Sequence, residues 1–136
     1  MPLTMFPVVG KFQAVVSDAT DLEGEPDIEN ISSFVYFSPS VEQVFSATDH
    51  VIYRLRPFRA RTNPDLGQVL NIDGTQVSLP ANTPDLQLAN LTYLVTFDHV
   101  VVDEREGKID AFRFAAPPDA TLVDLSTVER IPVKVK

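Results

Sequence analysis

The chain has 136 residues, with 19 acidic and 11 basic side chains and a formal charge of −8, a length suited to one domain of roughly 14 Å radius of gyration. A charged fraction of 22% and a hydrophobic fraction of 44% exclude a wholly disordered chain, and the absence of cysteine excludes disulfides, thiolate metal sites and cysteine nucleophiles. The negative balance argues against broad nucleic-acid binding and against adhesion to anionic membrane surfaces, both of which need Lys and Arg.

At the start, Met1–Phe12 has no basic region, and Pro2 and Pro7 interrupt its apolar residues. No stretch approaches the length of a membrane span, so we expect a soluble chain made in a cytoplasm, without membrane insertion. The 11 prolines are spread from Pro2 to Pro132 and leave little room for long helices. Between them lie short runs of Val, Phe, Tyr, Ile and Thr. Val8–Ser17 reads as the first strand, with Phe12, Ala14 and Val16 on one side of the pleat. Phe34-Val35-Tyr36-Phe37 reads as a central strand covered on both faces. Pro39–Phe45 has a Ser…Gln capping spacing and reads as a helical turn. In Val51–Arg56, Val51, Tyr53 and Leu55 alternate with Ile52, Arg54 and Arg56, the pattern of a sheet with one wet face.

The Asp73-Gly74 pair between Val69–Ile72 and Thr75–Leu79 predicts a hairpin, because both of its central positions tolerate positive φ. Thr83-Pro84-Asp85-Leu86 predicts a short helical turn. Leu91, Tyr93, Val95 and Phe97 give another core strand, which His99–Asp103 extends or pairs. Ile109–Phe114, Leu122–Leu125 and Val128–Val135 complete the set. Strands at about ten-residue spacing predict an all-β fold, a single antiparallel β-sandwich or partly closed barrel over 1–136 with one or two helical turns at most.

Two charged clusters stand out. Asp18, Asp21, Glu23, Glu25, Asp27 and Glu29 follow one another without a basic residue among them. Carboxylates so placed collect calcium in some loops, but the ligand order of an EF-hand is absent. A solvated loop, or a surface that docks on a basic neighbour, accounts for them. Arg54, Arg56, Arg59 and Arg61 concentrate positive charge on an acidic chain. They dress the wet face of a sheet or meet an acidic patch on another copy or partner. His50 and His99 each follow an Asp, within a five-residue echo between Thr48–Ile52 and Phe97–Val101. The helical spacing of a zinc site is missing, so no metal and no cofactor are expected. No nucleophile elbow or phosphate-cradling loop occurs among the five glycines. The chemistry predicts a non-enzymatic protein with no catalytic residues.

One succession runs through most of the chain: Gly24-Glu25-Pro26, then Phe34-Val35-Tyr36-Phe37-Ser38-Pro39, then an apolar strand at Val51–Leu55. Ile72-Asp73-Gly74 follows, leading to Val77-Ser78-Leu79-Pro80-Ala81, and then Tyr93-Leu94-Val95, a Phe-x-Phe strand, Val123-Asp124-Leu125 and Ile131-Pro132. This pattern resembles the small β-sandwich module of minor tail proteins from tailed phages of actinobacteria, over roughly Gly10–Pro132. Ser32-Ser33 stands where a glycine commonly opens the aromatic strand, and the Arg cluster is not a feature of the pattern. The resemblance implies a virion component of the tail or tail tip. Its partners would be copies of itself and other tail proteins, with the host envelope as a further contact. The two charged clusters would be the two sides of an assembly contact. A host cell-wall glycan-binding module and a capsid decoration protein are the alternatives.

Overall fold

The computed structural model describes residues 4–16, 27–47, 50–63, 67–86, 88, 90–102 and 105–131. Among the described residues there are thirteen strands and one three-residue helical turn, which makes the protein all-β, with several antiparallel sheets consistent with a β-sandwich. One sheet has three strands: β1 (Met5–Val9) lies between β9 (Val77–Pro80) and β13 (Val123–Asp124). The β1–β13 ladder is parallel, with Val8 opposite Val123, the one departure from the antiparallel expectation among these ladders. The larger sheet contains β4 (Ser32–Pro39), β7 (Phe58–Thr62) and β8 (Val69–Asn71) on one side of β10 (Thr92–Val102). On the other side of β10 lie β11 (Arg105–Glu106) and β12 (Phe112–Ala115). Two further hairpins are formed by β2 (Gln13–Val16) with β3 (Asp27–Asn30), and by β5 (Gln43–Ser46) with β6 (Val51–Arg54).

The core forms where the alternating apolar residues of both sheets meet. Phe6, Val8, Val77 and Leu79 from the small sheet pack with Val35, Phe37, Tyr93, Val95 and Phe114 from the large one. Each such side chain stabilises the fold by roughly 1.5–3 kcal/mol through burial. Phe6 sets its ring edge-on to Phe114, and Tyr93 stacks on Phe114 at 5.8 Å. The Tyr93 hydroxyl donates to the Pro80 carbonyl at 2.6 Å, tying the two sheets together, and burial pushes its pKa above the ordinary tyrosine value.

Several expected elements differ in detail. Val8–Ser17 is two strands, because Gly10 turns the chain out of the small sheet and its carbonyl accepts from Val69 at 2.9 Å. Phe12 then donates to Gly67, which has φ +72°. The expected helical turn at Pro39–Phe45 instead enters strand β5, with Val44 and Ser46 buried and Gln43 and Phe45 exposed. Tertiary pairing with β6 overrides the capping signal. Around Asp73-Gly74 the chain does turn: Gly74 donates to Asn71 (2.9 Å) and Asn71 to Thr75 (2.8 Å). Only Gly74 has positive φ, so Ile72 and Asp73 are the central residues. The flanking strands do not pair, since β8 joins the large sheet and β9 the small one. The turn is a corner between layers. Val128–Val135 is not a described strand: Thr127 and Val128 close a turn on Asp124, and Ile131 makes a single bridge to Arg113, while 132–136 lie outside the described residues.

The Pro84–Leu86 turn is present as one 3-10 turn, and it anchors the β5–β6 hairpin. Ser46 donates its hydroxyl to Asp85 Oδ2 at 3.0 Å. Hydrogen bonds from the hydroxyls of Thr83, chiefly, and Ser46 hold the Asp85 carboxyl below the usual carboxylate range.

Candidate functional site

Alternation decides what the large sheet shows to its surroundings. In β4, Ser33, Val35 and Phe37 are buried, while Ser32, Phe34 and Tyr36 lie half-buried on the opposite face. The expectation that both faces of β4 are covered is therefore corrected, for only one is sealed. In β7, Ala60 and Thr62 turn inward and Arg59 and Arg61 are exposed. The register sets Arg61 opposite Phe34 and Arg59 opposite Tyr36, and on the other side Thr96 lies opposite Tyr36 and Asp98 opposite Phe34. The outer face is thus a row of aromatic side chains flanked by guanidinium groups. The Arg59 guanidinium lies over the Phe34 ring, 4.4 Å from its centroid.

At the end of this face β10 bulges. Between Asp98↔Phe34 and Val101↔Ser32 it spends one residue more than β4 does. His99 occupies the bulge with φ 51°, a left-handed conformation that costs a non-glycine residue roughly 1–2 kcal/mol. The extra residue lets Val100 turn inward while His99 stands outward, edge-on to Phe34 at 5.9 Å. The neighbouring backbone is supported from below. Thr62 Oγ1 accepts from the Ser33 amide (2.8 Å) and donates to the Ile31 carbonyl (2.5 Å), and the Ser33 hydroxyl lies 3.1 Å from the Asp98 carbonyl it faces. A cleft of about 230 Å³ opens here between Arg61, His99, Phe34 and Ser32.

The structure splits the Arg cluster. Arg59 and Arg61 belong to the outer sheet face, whereas Arg54 ends β6 opposite Gln43 and Arg56 follows it, both exposed. Near Arg54 the β5–β6 hairpin exposes an apolar cross-strand pair, Phe45 (55%) opposite Ile52 (63%). Among the described residues none of the four guanidinium groups has a carboxylate within ion-pair distance. Of the acidic cluster, Asp18, Asp21, Glu23 and Glu25 lie outside the described residues, and Asp27 and Glu29 lie in β3. The histidines are not brought together by any described contact; His99 pairs with its own neighbour Asp98 at 3.6 Å. His50 shares the left-handed backbone, φ 56°, so the sequence echo has a conformational counterpart.

Sequence reasoning missed Phe34 and Ser32 as members of this face. The signal was present in the alternation of Phe34 and Tyr36 with Val35 and Phe37, but the register against β7 is a long-range property. A second cleft, about 340 Å³, lies at the seam of the two sheets and is lined by polar groups of Lys11, Gln68, Gln76, Asp124 and Ser126. No family model, curated protein or solved structure matches the chain.

Proposed function

We propose that the chain is a non-enzymatic structural component of a phage virion, a minor tail or tail-tip protein that assembles with copies of itself and with other tail proteins. The assembly part of this reading is carried by one observation: Arg59 and Arg61 stand exposed on one sheet face, without a carboxylate partner among the described residues, on a chain of charge −8. Concentrated positive charge on an acidic protein attracts external anionic surfaces and sets the orientation of docking. Arg54 and Arg56 extend the positive charge to the neighbouring hairpin, and the Asp18–Glu29 segment supplies the complementary charge. The virion setting is supported by the succession of turns and strand edges in the sequence, which resembles that of phage minor tail proteins.

Immunogold labelling of purified phage particles with antibody to this chain tests the setting. Gold confined to the tail tip is the expected result. Gold on the capsid would make the protein a head decoration, and absence of the chain from purified particles would remove the virion reading. A second reading, a module for host cell-wall glycans, is favoured by the amide, hydroxyl and charged groups around the seam cleft. Its check is titration calorimetry against cell-wall polysaccharide, where saturable heat supports it and none removes it.

A further inference from the structure

We propose that the cleft between Arg61 and His99 is a carboxylate-binding site, and that its occupant is the acidic β2–β3 connection of a second copy of this chain. The proposal rests on the assembly reading above and names its contact.

Four observations carry it. The cleft is built, because its floor is fixed by the buried Thr62 hydroxyl, which bridges the Ser33 amide and the Ile31 carbonyl. Its rim offers donors of the right kind: the guanidinium of Arg61, which has no carboxylate partner among the described residues, the imidazole of His99 and the hydroxyl of Ser32. Arg recognises carboxylates through two parallel N–H donors, which a point charge does not match. The rim is also held in an unfavourable backbone state at His99, and bulges of this sort re-aim a side chain. Among the described residues, Asp98, the carboxylate next to His99, pairs with that histidine at 3.6 Å rather than with Arg61. That leaves Arg61 uncompensated within the described residues.

The occupant follows from charge. Residues 17–26 connect β2 to β3 and contain Asp18, Asp21, Glu23 and Glu25, with no Lys or Arg. The cleft and the acidic segment are different parts of one chain, so the contact is heterologous and repeats head to tail, into a ring or a filament.

Sedimentation velocity over a concentration series of the full chain, in low salt, tests this with three variants. Arg61→Glu disables the cleft. The quadruple change Asp18→Asn, Asp21→Asn, Glu23→Gln and Glu25→Gln disables the acidic segment. Arg54→Glu alters the charge as Arg61→Glu does but lies outside the cleft. Far-UV circular dichroism checks that each folds. We expect the wild type to associate beyond a dimer, with Arg61→Glu weakening association roughly 10- to 100-fold and Arg54→Glu weakening it much less. Chains with a disabled cleft and chains with a disabled segment should each remain monomeric yet form a dimer, and nothing larger, when mixed. Equal losses from Arg54→Glu and Arg61→Glu would overturn the cleft while keeping assembly. A mixture that stays monomeric would overturn the second-copy occupant and place the acidic segment on its own chain. A wild type that remains monomeric at all concentrations would overturn both the cleft and self-assembly.

Discussion

At the residue scale, two positions show how single groups hold the layers together. Tyr93 sits at the centre of the core and donates to Pro80 across the sandwich. Tyr93→Phe keeps the ring packing but leaves a buried carbonyl without this donor, and should cost about 1–2 kcal/mol in chemical denaturation. The tyrosine also sets an alkaline limit. Its folded-state pKa is raised by burial, so the folded protein retains the phenol proton that the unfolded chain loses above about pH 10. Its contribution is complete below that pH and is lost progressively above it. The denaturation midpoint should fall more steeply above pH 10 in the wild type than in Tyr93→Phe. Gly67 makes a different kind of demand. At φ +72° a side chain is already strained, and a Cβ would lie 2.6 Å from the Phe12 carbonyl oxygen. Gly67→Ala should lower stability by about 2 kcal/mol or more, through that clash and the left-handed backbone together.

At the element scale, the β10 bulge invites a comparison of two substitutions at one residue. His99→Gly removes the steric cost of φ 51° along with the imidazole, whereas His99→Val places a β-branched side chain where it is least tolerated. Thermal unfolding should show His99→Val less stable than His99→Gly by about 1–2 kcal/mol. If the two unfold together, the bulge is free to relax and its aim at Phe34 is not fixed by the backbone. Elements of this sort mark the boundary of what the sequence discloses. Strand β10 was legible from the alternation of Tyr93, Val95 and Phe97, whereas β7 was not, since its Arg59 and Arg61 read only as part of a charged cluster. The bulge was foreshadowed only as an Asp-His-Val echo, because positive φ at a histidine leaves no compositional trace. The Asp73-Gly74 turn was legible as a turn, but which sheets its arms join depends on β1 and β7, more than sixty and about ten residues upstream. Local chemistry fixes turns; long-range packing fixes partners. The candidate site follows the same division, since its arginines were visible in the sequence and its cleft, made by the register of three strands, was not.

At the scale of the whole molecule, two exposed surfaces compete to explain assembly, and they obey different physics. The outer sheet face carries Arg59 and Arg61 beside Phe34, and would attract the acidic segment of another copy by charge. The β5–β6 hairpin exposes Phe45 opposite Ile52, and would associate by burying apolar area. Salt separates them. Between 0.1 M and 1 M ionic strength the screening length falls from about 10 Å to about 3 Å, which weakens contacts between exposed charges. Apolar burial does not weaken in this way, and strongly excluded salts such as sulfate reinforce it. Association through the Arg61 cleft should therefore decline steadily as sodium chloride is raised, with sedimentation returning to that of a monomer near 1 M. Association that persists in high chloride, strengthens in sulfate and is lost in Phe45→Ser would assign the contact to the hairpin instead. In that case the positive face would remain open for an acidic partner of a different sequence, and the net charge of −8 would act as mutual repulsion that the hairpin contact must overcome.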